Sequence, residues 1–147
     1  GAMSGMLYLA LRTSVRGLLT VLPLATIAAG GGLIAFSFCR TLWLAYPCLF
    51  ISGLGLMLTA GSTNTLLQTI VEDRLRARVA AIYIMGFLGM APVGALIAGS
   101  LAEHIGPPMA LASGGALALG SALVYLRFLP AIRAAIRPVY QRLGILP

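Results

Sequence analysis

Few residues in this chain have side chains that could carry out chemistry. His104 is its single histidine and follows Glu103, and Cys39 and Cys48 are its two cysteines. No serine or cysteine is placed to form an activated nucleophile with the histidine, and neither cysteine has partners at metal-ligand spacing. We predict that His104 lies in a solvated turn and that the cysteines are packed thiols. The sequence therefore predicts no enzyme, no cofactor and no metal site.

The main polar cluster lies at one end of an apolar stretch. Asn64 and Gln68 are four residues apart and share one face of a helix. Uncharged amides and hydroxyls at membrane depth face protein or a water-filled cavity. Asn64, Thr65 and Gln68 therefore either line a translocation path or form hydrogen bonds between helices. The cluster comprises Ser62, Thr63, Asn64, Thr65, Gln68 and Thr69.

Most of the chain consists of apolar segments, which occupy about residues 17–39, 42–70, 79–102 and 107–127. At a rise of about 1.5 Å per residue, each is long enough to cross a hydrocarbon core of about 30 Å. Residues 1–11 have the same character but are too short, so we expect them to be the end of a truncated span. Only 9% of residues are charged, too few for a soluble protein. We predict an all-α, polytopic membrane helix bundle in contact with the lipid bilayer.

Arginine supplies all ten basic residues and indicates how the bundle is oriented. If alternate loops lie on one side, that side holds nine arginines and the other holds Arg40 alone. Basic residues concentrate in cytoplasmic loops. We therefore expect loops 12–16 and 72–78 and the C-terminus to be cytoplasmic, and the turns at 40–41 and 103–108 to face outward. The nine are Arg12, Arg16, Arg74, Arg76, Arg78, Arg127, Arg133, Arg137 and Arg142.

This distribution also bears on partners. The net charge of +7 could indicate a nucleic-acid binder. However, the arginines lie at the ends of spans rather than on one surface, which argues against nucleic acid. Ile132, Ile136 and Tyr140 recur every four residues, with Arg133 and Arg137 beside them. We predict that residues 129–147 form a cytoplasmic tail that lies at the membrane interface. Docking of a partner to this tail is the alternative.

Small residues and a proline are concentrated in the third full span. Small residues mark contact faces between membrane helices, and a proline in mid-span removes a backbone hydrogen bond. We predict that these positions serve helix packing and flexing. They are Gly86, Gly89, Pro92, Gly94 and Gly99. The carboxylates Glu72, Asp73 and Glu103 all fall outside the spans, which argues against a proton relay in this part of the protein.

Two stretches resemble bacterial transporters of the major facilitator superfamily. Residues 64–68 and 71–79 resemble the polar helix end and cytoplasmic loop of that superfamily, and residues 85–94, with Gly99 and residues 102–106, resemble its penultimate helix. The nearest resemblance is to the branch of the enterobactin exporter and the macrolide-efflux-like permeases. Glu72 stands where such loops often have proline, and Ala77 where they often have glycine.

The resemblance implies that the four full spans are the ninth to twelfth helices of a twelve-helix transporter of the bacterial inner membrane. The N-terminal half of the same polypeptide would be its partner. Such a protein would export drugs, siderophores or small metabolites by alternating access, with protons as a candidate coupling ion. The alternative is a small structural or accessory membrane protein that oligomerises.

The resemblance also implies a role for the charges that follow the polar cluster. Asp73, Arg74, Arg76 and Arg78 would form a cytoplasmic latch whose ion pairs form and break as the two halves rock. The simpler interpretation is that the arginines only set the orientation in the membrane.

Overall fold

In a computed structural model, residues 1–11, 17–71 and 73–142 are described and are almost entirely helical. Four of the five helices are long and apolar enough to cross a membrane, which confirms the predicted all-α polytopic bundle. Predictions that fall on Arg12, Arg16, Glu72 and residues 143–147 lie outside the described residues. The helices are α1 (Ala2–Leu11), α2 (Leu18–Ser37), α3 (Leu42–Ile70), α4 (Asp73–Ile105) and α5 (Pro107–Arg142).

Two predicted loops are wrong because the helices extend into them. The loop expected over residues 72–78 is helical from Asp73 onward, since arginine, leucine and alanine all favour a helix. The loop expected over residues 103–108 is reduced to Gly106, between the end of α4 and Pro107 at the start of α5. Gly106 has a φ of 84°, a left-handed conformation that glycine adopts without strain. Proline at the first helical position has no amide hydrogen to leave unpaired.

The fourth span and the proposed tail form one continuous helix. α5 runs from Pro107 to Arg142, so the chain has no break at residue 128. Leu129 and Tyr140 are both buried, and the Arg133 guanidinium donates a hydrogen bond to the hydroxyl of Thr20 on α2 over 2.8 Å. Residues 129–142 therefore pack against the bundle. Their location at the membrane interface stays a prediction.

The centre of the bundle is α2, which packs along both α3 and α5. α1 packs against α3, and α4 contacts chiefly α5. Between α2 and α3, the Ser52 hydroxyl donates to the backbone carbonyl of Ala29 over 2.9 Å, and the hydroxyls of Thr26 and Thr59 are 3.2 Å apart. These polar contacts join α2 to α3.

Glycines allow the closest approaches of α2 to its neighbours. A Cβ added to Gly30 would lie 2.7 Å from the carbonyl oxygen of Gly115 on α5. A Cβ added to Gly32 would lie 2.8 Å from the Ser52 hydroxyl on α3. Gly31, between them, would meet nothing within 4 Å. Two glycines of this triplet are therefore packing positions on different faces, and the third is not.

α4 is the least covered helix of the described chain. No residue of its membrane-crossing part is buried, and a Cβ added to Gly86, Gly89, Gly94 or Gly99 would meet nothing within 4 Å. The helix continues through Pro92. The small residues of α4 thus make no close helix contact within the described residues, and their proposed role in flexing stays a prediction.

The glycine contacts predict a difference between two adjacent substitutions. Gly30→Ala should lower the stability of the detergent-solubilised protein by about 1–3 kcal/mol, because the added methyl group meets the Gly115 backbone. Gly31→Ala should leave stability unchanged or raise it by up to about 1 kcal/mol, because alanine favours a helix. The fraction of folded protein that survives heating, measured by size-exclusion chromatography, compares the two. Equal losses would contradict the packing of α2 on α5.

A candidate substrate cavity between α1, α3 and α4

The polar cluster of α3 borders an open cavity of about 390 Å³. Asn64 and Thr65 line it, whereas Gln68 does not contribute to its wall. No charged side chain belongs to the described lining. The remaining lining residues are Met6 and Leu9 from α1, Met57, Ala60 and Gly61 from α3, and Tyr83, Ile84 and Phe87 from α4.

The polar wall of the cavity is held by hydrogen bonds within α3. The Gln68 amide donates to the side-chain oxygen of Asn64 over 3.2 Å, as expected for residues four apart on one helix. The Thr65 hydroxyl donates to the backbone carbonyl of Gly61 over 2.9 Å. A primary amide has two donors and one oxygen with two lone pairs. The hydrogen bond to Gln68 uses one acceptor site of Asn64, so its amide retains capacity for a further partner.

The remaining polar residues of α3 differ in burial and in hydrogen bonding. The hydroxyls of Thr63 and Thr69 each donate to a backbone carbonyl one turn earlier in α3, over 2.8 Å. Ser62 is fully buried on another face of the helix, and its hydroxyl has no hydrogen-bond partner among the described residues. The hydrogen bonds seen for Thr63, Thr65 and Gln68 do not join α3 to another helix. The role of Asn64, Thr65 and Gln68 in a translocation path stays a prediction.

Two aromatic rings of α4 also line the cavity. Tyr83 and Phe87 are four residues apart, and their ring centroids are 6.1 Å apart with planes inclined by 24°. Sequence reasoning missed both residues. The spacing of four was the available signal, because aromatic residues make up only 7% of the chain. Stacked rings provide a large, rigid apolar surface.

α1 closes the third side of the cavity. A Cβ added to Gly61 would lie 2.6 Å from a methyl carbon of Leu9, so the absence of a side chain at Gly61 admits α1 to this position. α1 also approaches α3 at Gly5, where an added Cβ would lie 3.0 Å from the Leu54 carbonyl oxygen. These two contacts set the width of the cavity on the α1 side.

The predicted latch lies beyond the end of this cavity. Arg74, Arg76 and Arg78 are exposed in the first two turns of α4, whereas the prediction treated them as loop residues. Arg78 precedes Tyr83 by five residues, or about 7.5 Å along the helix axis. The latch stays a prediction, because its acidic member Asp73 is described only in its helical backbone.

The remaining reactive side chains lie away from the cavity. His104 is exposed in the last turn of α4, and its Nδ1 is 2.8 Å from the backbone carbonyl oxygen of Ser100. Cys39 and Cys48 lie at the turn between α2 and α3, where their sulfur atoms are 3.7 Å apart. Sequence reasoning treated the two thiols separately, and the fold brings them together.

A comparison with protein families agrees with this architecture. Residues 1–141 match the model of the transmembrane secretion effector family, a transporter family of the major facilitator superfamily. No curated protein matches the chain, and neither does any solved structure. The family is one of transporters rather than enzymes, and its match extends over nearly all of the described helices. The chain therefore belongs to the transmembrane secretion effector family and is a multi-pass membrane protein with a role in transport.

Proposed function

We propose that the chain is the C-terminal part of a secondary transporter that exports small molecules by alternating access from the bacterial inner membrane. Drugs, siderophores and small metabolites are the substrate classes that the resemblance implies. The observation that carries the proposal is the cavity between α1, α3 and α4, because its lining combines an amide and a hydroxyl from α3 with two aromatic rings from α4. The match to a transporter family favours this proposal over the alternative of an oligomerising structural protein.

The lining favours substrates whose inserted portion is uncharged and contains a ring. An unpaired charge is costly in an apolar site, and no charged side chain of the described lining would compensate for one. Tyr83 and Phe87 offer a stacking surface, while Asn64 offers an amide that can donate or accept. The part of α4 that no other described helix covers would lie opposite the N-terminal half of the same polypeptide.

Matched substitutions on α3 test the path. We expect Asn64→Ala to lower the initial rate of efflux of the neutral dye Nile red by about three- to tenfold, because one hydrogen bond contributes about 0.5–1.5 kcal/mol. Efflux is measured as loss of fluorescence from preloaded cells that express the full-length protein and lack their own main exporters. Thr65→Val should also slow efflux.

Thr69→Val is the matched control. Thr69 makes the same hydrogen bond to its own helix as Thr65 but does not line the cavity. Its substitution should change the efflux rate by less than about twofold. The proposed path is wrong if Thr69→Val and Thr65→Val slow efflux equally, or if Asn64→Ala transports at the wild-type rate. Protein abundance in the membrane is measured in parallel to separate transport from folding.

The aromatic wall predicts a different response. Tyr83→Leu should raise the Nile red concentration that gives half-maximal efflux by about three- to tenfold, because an aromatic contact is worth about 0.5–1.5 kcal/mol beyond its area. Tyr83→Phe keeps the ring and should leave this concentration within about twofold of the wild type. Similar values for leucine and phenylalanine would show that the ring does not contact the dye.

We also propose that Asp73, Arg74, Arg76 and Arg78 act as a cytoplasmic latch. Replacing the three arginines together by lysine keeps every positive charge but removes the planar fork that binds carboxylates at two points. Efflux should fall by about fivefold or more, while the orientation of the protein stays unchanged, as read from a C-terminal reporter. If this variant exports the dye at the wild-type rate, the latch is wrong and the arginines only set the orientation of the protein in the membrane.

A further inference from the structure

The turn between α2 and α3 brings the two cysteines of the chain into contact. Cys39 follows the end of α2 at Ser37, and Cys48 lies in the second turn of α3. Their sulfur atoms are 3.7 Å apart, and both residues are half-buried. Nothing in the proposed transport function uses either thiol.

The positions of both cysteines are fixed by the helices that carry them. The Cys39 amide donates to the Phe36 carbonyl over 3.0 Å, and its thiol donates to the Ala35 carbonyl over 3.2 Å. Cys48 belongs to the part of α3 that packs on α2, since its own carbonyl oxygen would lie 2.9 Å from a Cβ at Gly32. The sulfur–sulfur contact therefore follows from the packing of α2 on α3.

The contact suits a covalent bond between the sulfurs better than a metal ion. A disulfide has a sulfur–sulfur length of about 2.05 Å, so the two sulfur atoms need to approach by about 1.7 Å to form the bond. Among the described residues, no group of three or more histidine, cysteine or acidic side chains could hold a metal ion. Each thiol thus lies beside a second thiol with which it could form a disulfide. The described residues supply no further ligands for a zinc site.

We propose that Cys39 and Cys48 form a reversible intramolecular disulfide that joins the end of α2 to the start of α3. The oxidant is a disulfide compound, such as a protein dithiol oxidase or oxidised glutathione. One cysteine thiolate attacks a sulfur of the oxidant, which gives a mixed disulfide and releases one thiol. The second cysteine then attacks the mixed disulfide and releases the second thiol. The two cysteines lose two electrons and two protons, and the two released thiols carry them.

The predicted orientation places this turn where such a bond persists. The arginine distribution puts Arg40 on the outer face of the membrane, and disulfides are maintained in the bacterial periplasm. Burial, with the neighbouring Cys48 thiol, raises the pKa of Cys39 above its usual value, so little of it is thiolate at neutral pH. Oxidation should therefore be faster at alkaline pH. Once formed, the bond makes α2 and α3 move as one unit at their outer ends.

The position of Arg40 between the two cysteines provides a direct assay. Arg40 is exposed and is followed by threonine, so trypsin cleaves after it. The full-length protein in membrane vesicles is incubated with oxidised glutathione, blocked with iodoacetamide, denatured and digested. Peptides 17–40 and 41–74 each contain one cysteine. We expect them to be joined in the mass spectrum in most of the protein and to separate on reduction.

The controls separate proximity from general thiol reactivity. Cys39→Ser and Cys48→Ser should each abolish the joined peptide. In the double variant Cys48→Ser with Ser52→Cys, the second thiol lies one turn, or about 6 Å, further along α3, and the joined peptide should fall at least tenfold. An equal yield from this pair would overturn the proposal, as would two carbamidomethylated cysteines in the oxidised wild type. A disulfide between two copies of peptide 17–40 would also overturn it.

Acid-quenched cells test whether the bond exists in the living bacterium. Cells that express the full-length protein are precipitated in acid, alkylated and digested in the same way. We expect the joined peptide in aerobically grown cells and its loss after brief treatment with dithiothreitol. Free thiols throughout the acid-quenched sample would overturn the reversible disulfide as a state of the protein, whatever the result in vesicles.

Discussion

The close approach of α2 to both α3 and α5 is the contact on which the rest of this bundle depends. In a bilayer, an apolar side chain gains little by leaving lipid for protein, so helices associate where their backbones can come close. Gly30 against Gly115 and Gly32 against Ser52 are such places. α1 is attached through α3, and α4 through α5 and the single-residue turn at Gly106. The width of the cavity and the sulfur contact at the turn follow from this arrangement.

A second constraint acts on the polar residues. In a medium without water, each hydroxyl must find an acceptor, and the nearest one is a carbonyl of its own helix. Thr63, Thr65 and Thr69 all satisfy this requirement within α3. Asn64 cannot satisfy all its donors and acceptors in this way, since an amide has more hydrogen-bonding sites than one neighbour can fill. This excess capacity, in a cavity that two aromatic rings also line, is what makes the cavity a candidate binding site.

Much of the fold could be predicted because span length and charge are local properties. The second full span, predicted at residues 42–70, coincides with α3, and the others differ at their ends. α4 begins earlier and α5 ends later than the predicted spans for a physical reason. Arginines were taken as markers of a loop, although arginine is a good helix former and continues a helix beyond the membrane core. The sequence identified Asn64, Thr65 and Gln68 as path candidates. Gln68 does not line the cavity, and Tyr83 and Phe87, which do, were missed. Nothing local shows which face of α4 turns toward α3.

The sequence by itself determined the class of the protein, the number of spans, their predicted orientation and the resemblance to the major facilitator superfamily. Each of these depends on composition, on segment length or on motifs that are continuous in the chain. Only the tertiary structure decided which glycines are contacts, that Asn64 and Thr65 share a cavity with rings from another helix, and that Cys39 meets Cys48. These depend on the rotation of each helix about its axis, which is set by packing between residues distant in sequence.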